Sequence, residues 1–223
     1  MKTKNGPRIT ICTILITATL CWTNTSALSA ATPKTRTNKK LGITFQYDPM
    51  LNVSYRTEHG NIVSRVLGIG AQHKKMIVQH EVSFTHDDPC SESGRHPTSK
   101  RITDFYVTME ISNETFDVFM QDILIIESDV EAGVPNYHVN VTYGVLKGIG
   151  LYKGNHGCGA YTYYFPTADN KMLVVNRYLT PEFTEVPEEK KEIYRRVKGI
   201  IVPEDEEQLF TEIMESLQLI GSH

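Results

Sequence analysis

The chain is poor in the features that mark most chemistry. It has four cysteines among 223 residues, and Cys12 and Cys21 fall within the first thirty. Its one apolar run, residues 9–22, is about 14 residues long and is broken by Thr10, Thr13, Thr17 and Thr19, whereas a bilayer span needs roughly 20. It has no G-x-S-x-G elbow and no calcium loop. Gly148-Ile149-Gly150 lacks the third glycine of a dinucleotide fingerprint, and the glycines at 154–159 have neither the spacing nor the lysine of a phosphate loop. His80-Glu81 begins like a zinc-protease motif, but Phe84 stands where the second histidine belongs. These glycine and histidine patterns are near misses to known motifs, and the glycines read as serving turns and close backbone approach.

What stands at the N-terminus is a secretory signal pattern. Lys2, Lys4 and Arg8 precede the apolar run, and the small residues around Ala27, Ser29, Ala30 and Ala31 suit a signal peptidase. Residues 1–29 are therefore expected to be a signal peptide, with cleavage after Ser29 and a cut after Ala31 as the alternative. The expected location is secreted or periplasmic, with no stable membrane span after cleavage. An uncleaved anchor and a lipid-modified Cys21 are weaker readings, because the run is short and Leu20 is not small. Removal of the leader leaves 20 basic and 26 acidic residues, a net charge of about −6. A surface of that sign, with no basic stripe, argues against a nucleic-acid partner. Residues 30–40, rich in Thr, Lys, Pro and Asn, read as a flexible leader. Residues 41–220 are long enough for a single domain with its own core.

Alternating apolar residues dominate that domain. Residues 41–47, 53–55, 62–69, 76–84 and 105–111 read as strands, and the polar stretch 86–100 reads as an exposed loop. Phe116, Phe119, Met120, Ile123 and Leu124 follow helical spacing, with Ser112 or Asn113 as a cap. Residues 137–145 return to alternation, 144–159 read as a glycine-rich connection, and strands follow at 161–165 and 172–178. In the first of these, Tyr161, Tyr163 and Phe165 share a face expected to be core, while Tyr164 on the other is the better candidate for an exposed contact. Residues 188–196 suggest a short solvated helix. Asp205 and Gln208 suggest a capping box for a closing amphipathic helix carrying Leu209, Phe210, Ile213, Met214 and Leu217. The expected fold is α+β: a largely antiparallel sheet packed against helices.

Two stretches resemble PsbP-like domains: the opening Leu41-Gly42-Ile43-Thr44-Phe45-Gln46-Tyr47-Asp48-Pro49 and the ending Leu209-Phe210-Thr211-Glu212-Ile213-Met214-Glu215-Ser216-Leu217. Together they cover about twenty residues of the chain, and the order of strands and helices fits that fold's sheet between helices. The resemblance implies a small accessory or binding domain without catalytic machinery and without a cofactor. Its partner would be a protein or an envelope component.

Cys90 and Cys158 remain after signal removal, and in an oxidising compartment a disulfide between them is expected. Closing a loop of about 67 residues would stabilise the fold by roughly 4 kcal/mol in the chain-entropy model. His80, His86, Asp87, Asp88, Cys90 and His96 also gather potential ligands, and His156 lies two residues before Cys158. The alternative is thus an envelope metal-binding protein holding zinc or copper through His86, Cys90, His96, His156 and Cys158, or a Cys/His enzyme with Cys158 as nucleophile and His156 as base. Asn52, Asn113 and Asn140 open Asn-x-Ser/Thr sequons, which matter only in a eukaryotic secretory pathway. Their positions in predicted strands and near a helix cap read as ordinary sequence.

Overall fold

The computed structural model describes residues 31–59, 72–87, 98–129, 138–155 and 158–220. Ten strands and four helices occur among them, in the order β1 (Lys34–Asn38), β2 (Ile43–Tyr47), β3 (Asn52–His59), β4 (Gln72–Asp87), β5 (Thr98–Ser112), α1 (Phe116–Asp129), β6 (Val139–Tyr143), β7 (Leu146–Asn155), β8 (Cys158–Pro166), β9 (Met172–Tyr178), α2 (Pro181–Thr184), α3 (Glu188–Arg195), α4 (Pro203–Ser216) and β10 (Gln218–Leu219). Seven strands form one antiparallel sheet in the order β3-β4-β5-β9-β8-β7-β6, and β1-β2-β10 form a smaller one. The α+β class and the closing helix agree with the sequence pattern. No described helix is long and apolar enough to cross a membrane.

Alternation sends successive side chains to opposite sheet faces. On one face Met76, Val78, Val107, Met109, Tyr163, Phe165, Leu173 and Val175 form a continuous core with Ile43 and Phe45 of β2 and Leu209, Phe210, Ile213 and Met214 of α4. On the other, Ile149, Leu151, Tyr164, Met172 and Val174 pack with Phe116, Phe119 and Met120 of α1. β9 is covered on both faces, so Met172 to Arg177 are all buried, which accounts for its unbroken Met-Leu-Val-Val run. A third cluster, Ile102, Phe183 and Tyr194 with Val82 and Phe84, seats α2 and α3 on the β4–β5 hairpin.

Several expectations are corrected. Lys34–Asn38, within the expected flexible leader, is a strand in register with β2 from Lys34 opposite Tyr47 to Asn38 opposite Ile43. Four of its five residues are exposed; backbone pairing holds it, and composition carries no sign of that. The stretch expected as a connection at 144–159 is mostly β7. A two-residue turn at Gly144-Val145 joins β6 to β7, with Gly144 at φ +54°, the left-handed region that glycine enters without cost. At Gly148 a Cβ would lie 2.0 Å from the Tyr164 carbonyl oxygen, so this glycine lets two strands pass closely rather than breaking one. The polar loop is narrower than expected, since β4 runs on to Asp87 and β5 begins at Thr98.

The helix starts also differ. Thr115, not Ser112 or Asn113, caps α1: its Oγ1 accepts from the Val118 N–H at 3.3 Å. α4 has Val202 as its N-cap, with no side-chain cap bond, and Pro203 in the first turn. Gln208 donates instead to Glu212 Oε1 at 2.9 Å. The fixed φ of Pro203 and three acidic residues in the first turn favour this start without a capping box. The strand expected at 62–69 lies outside the described residues.

Candidate functional site

Two arrangements of polar and aromatic side chains offer chemistry. The first is centred on Asp104, which is fully buried. Its Oδ1 accepts from His80 Nδ1 at 2.7 Å and its Oδ2 from the Ile201 backbone N–H at 2.5 Å, while its carbonyl accepts from Thr180 Oγ1 at 3.1 Å. A β4–β5 irregularity falls here, between His80 and Glu81, and turns Asp104 inward to meet the segment before α4. A histidine oriented by a buried carboxylate is half of a general-base relay. Among the described residues, however, no hydroxyl or thiol hydrogen-bonds to His80. The cluster joins β4, β5, the chain before α2 and the chain before α4, and this joining is a sufficient reason for each bond.

The second arrangement is a strip of aromatic rings running from the core to the surface along β6, β7 and β8. Tyr163 stacks on Phe210 with centroids 5.2 Å apart, and Tyr143 meets both rings edge-on at 5.8 Å. Tyr161 continues the row 6.5 Å from Tyr163, and Tyr152 lies 5.2 Å beyond it across the β7–β8 pair. Tyr152 and Tyr161 are 44% and 40% exposed, and Val139 on the edge strand shares their face at 55%. Tyr164, expected as the exposed residue, is 3% exposed and stacks on Phe119 at 4.2 Å. The expectation that one sheet face would be dry and the other wet fails because α1 covers the second face. Tyr161 shares the face of Tyr163 and Phe165 yet is 40% exposed, so a residue on the core face reaches solvent.

Arg177 borders this strip, opposite Tyr161 in register. Its guanidinium lies 5.0 Å over the Phe210 ring, donates from Nε to Glu206 Oε1 at 2.7 Å, and pairs with Glu207. Those two carboxylates hold Arg177 firmly in its charged form. Burial pushes the Glu206 carboxyl above the usual range, and the Arg177 bond opposes that shift. Burial likewise raises Tyr163, reinforced by the nearby Tyr143, and raises Tyr143. Both phenols are therefore neutral at physiological pH and serve as hydrogen-bonding ends of apolar bodies. One cation shared by two carboxylates, with Glu204 exposed in the same helical turn, leaves an acidic rim beside exposed tyrosines. Rigid, amphipathic tyrosines on paired strands lose little entropy on contact.

Of the residues singled out from sequence, Cys90, His96 and His156 lie outside the described residues, as does Asp88. The backbone of His86 stands near the end of β4 opposite Ser99, and that of Cys158 at the start of β8 opposite Asn155. Among the described residues no three His, Cys, Asp or Glu side chains come together as a metal cage. The Arg177–Glu206–Glu207 group had no signal in the sequence: the pairing spans about thirty residues, and a single arginine at the end of a strand resembles any other.

Comparison with protein-family models, with curated proteins and with solved structures finds no match to this chain.

Proposed function

We propose that the chain is a secreted or periplasmic, non-enzymatic binding protein whose contact surface is the tyrosine strip of Tyr152, Tyr161 and Val139 with its acidic rim at Glu207. The observation that carries the reading is the exposure of two adjacent tyrosine rings fixed on neighbouring strands. Large exposed aromatics at the end of a continuous aromatic row are characteristic anchors of protein interfaces. The rim chemistry favours a protein partner that presents Lys or Arg, which would stack on the tyrosines and pair with Glu207. The signal pattern at residues 1–29 supports export.

A PsbP-like relationship is part of this proposal. It is supported by the mutual packing of the two stretches that carry the resemblance: the Gln46 N–H donates to Ser216 Oγ at 2.8 Å, and Phe45, Leu209, Phe210 and Ile213 share one core. A sheet with helices on both faces also agrees with it. The metal-binding or Cys/His-enzyme alternative depends on residues outside those described, together with Cys158, and no described cluster favours it.

The test is affinity capture from the native envelope or extracellular fraction with wild type and with a Tyr152→Ala/Tyr161→Ala double variant. The expected result is a partner held by wild type and lost by the variant, at a thermal midpoint changed by no more than a few degrees. Equal capture by both proteins would overturn the proposed surface.

A further inference from the structure

The sequons at Asn52, Asn113 and Asn140 read as ordinary sequence when they are placed only on predicted strands and near a helix cap. The structure gives them a common property. Asn52 is the first residue of β3, Asn113 lies between β5 and α1, and Asn140 is the second residue of β6; all three are exposed. β3 and β6 are the two edge strands of the seven-stranded sheet, so Asn52 and Asn140 stand at opposite margins, with no further strand beyond them among the described residues. Their sheet face follows from alternation. Val53 and Val141 pack against the large core beneath α4, so Asn52 and Asn140 point to the other face. Asn140 pairs in register with Ile149, a member of the cluster under α1. Asn113 stands three residues before Phe116, the first residue of α1, which packs on that side.

We propose that Asn52, Asn113 and Asn140 are acceptors of N-linked oligosaccharide, so that sugar covers the α1 side of the sheet and leaves the tyrosine strip on the α4 side open. The inference rests on the reading of the chain as exported, and within that reading on the secreted arm through a eukaryotic secretory pathway. In each transfer the side-chain amide nitrogen forms a bond to the anomeric carbon of a lipid-linked oligosaccharide, while that carbon's bond to phosphate oxygen breaks. The lipid pyrophosphate departs, and the amide proton passes to a base of the transferase. The glycan needs an asparagine with an exposed side chain in the folded state, and all three are exposed among the described residues. Thr115 fits the same arrangement, since its hydroxyl serves as the cap of α1 once folding is complete. A polar, hydrated coat on edge strands β3 and β6 also blocks strand-to-strand association, which open edges invite.

The experiment uses the full chain isolated from the cells that make it. Intact mass is measured before and after an amidase that removes N-glycans and converts each occupied Asn to Asp, and peptide mapping assigns the converted positions and the N-terminal residue. The expected result is a mature N-terminus near Ala30 with conversion at Asn52, Asn113 and Asn140. Single Asn→Gln variants should each remove one of three mobility steps and leave partner capture through the tyrosine strip unchanged. A processed N-terminus with no conversion at any of the three overturns the glycan assignment and leaves export standing. An unprocessed N-terminus overturns both. Loss of partner capture on enzymatic removal of the glycans would overturn the division of the molecule into a coated and an open side.

Discussion

The two faces of the seven-stranded sheet are built from alternate residues of the same strands, yet they solve burial differently. The α4 face is largely apolar from β4 to β8, with Met76, Val78, Val107, Met109, Val175, Leu173, Tyr163 and Phe165 in one cluster and Arg177, bonded to Glu206 of α4, as a buried charge at its margin. The opposite face carries polar groups through its middle. Thr162 Oγ1 donates to Asn176 Oδ1 at 2.8 Å, and Asn176 Nδ2 donates to Thr108 Oγ1 at 3.3 Å. One register step away, Lys75 Nζ lies 3.7 Å from Glu110 Oε1, both side chains being buried. In the same register row as Glu110, Val174 and Tyr164 begin the smaller cluster around Phe119. The contrast separates two roles. The apolar face supplies most of the driving force, which scales with area removed from water. The polar row contributes little net stability but is costly to leave half-made, so it restricts the register that the central strands can adopt.

The sharpest way to break this contrast is to truncate one aromatic on each side. Phe210→Ala, at the centre of the α4 face, is expected to cost about 3–5 kcal/mol in urea unfolding. Phe119→Ala, in the smaller cluster, should cost clearly less. Equal losses would show that α1 holds the sheet as strongly as α4 does.

The next test concerns the buried pair. Lys75→Ala removes the buried Lys75–Glu110 attraction and should cost about 3 kcal/mol. A Lys75→Met/Glu110→Leu double variant should recover most of that loss, because replacing both charges removes the desolvation cost along with the attraction. A double variant as unstable as the single would show that the pair adds stability of its own, and the two faces would then differ less than their composition suggests.

The smallest effect at neutral pH is expected from Tyr163→Phe, about 1 kcal/mol for the loss of the bond with Tyr143. Its value lies in the pH dependence. Because the folded-state pKa of Tyr163 is raised, the folded protein holds the phenolic proton more tightly than the unfolded chain does. The corresponding stability is fully present below the unfolded value of about 10 and is lost as pH rises toward the folded one. Wild type should therefore lose stability more steeply than Tyr163→Phe in alkaline unfolding series above about pH 10. Parallel slopes would mean that the phenol is not buried as described.

Much of the architecture was legible because period-two alternation and helical spacing are local. Met76 to Phe84, Phe105 to Ile111 and Met172 to Tyr178 declared themselves as strands, and Leu209, Phe210, Ile213 and Met214 declared a buried helix face. β1 was not legible: its residues are polar, and only pairing with β2 makes it a strand. β7 was hidden by Gly148, which the sequence presents as a loop signal and the fold uses for close approach to β8. Tyr161 and Tyr164 were assigned to the wrong environments for one reason, that alternation tells which residues share a face but not how far the covering element extends. The Asp104 and Arg177 clusters were invisible because their partners lie between about 24 and 97 residues away in sequence.

The amino-acid sequence by itself determined the class of the fold, the acidic balance of the chain beyond residue 29 and the identity of most buried positions. These follow from composition and from spacing over a few residues, where sterics and water act directly. Tertiary structure alone decided which tyrosines meet solvent, which buried charges are paired, and on which side of the sheet Asn52, Asn113 and Asn140 stand. Those outcomes depend on which element lies across which face, and that is set by the packing of segments far apart in the chain.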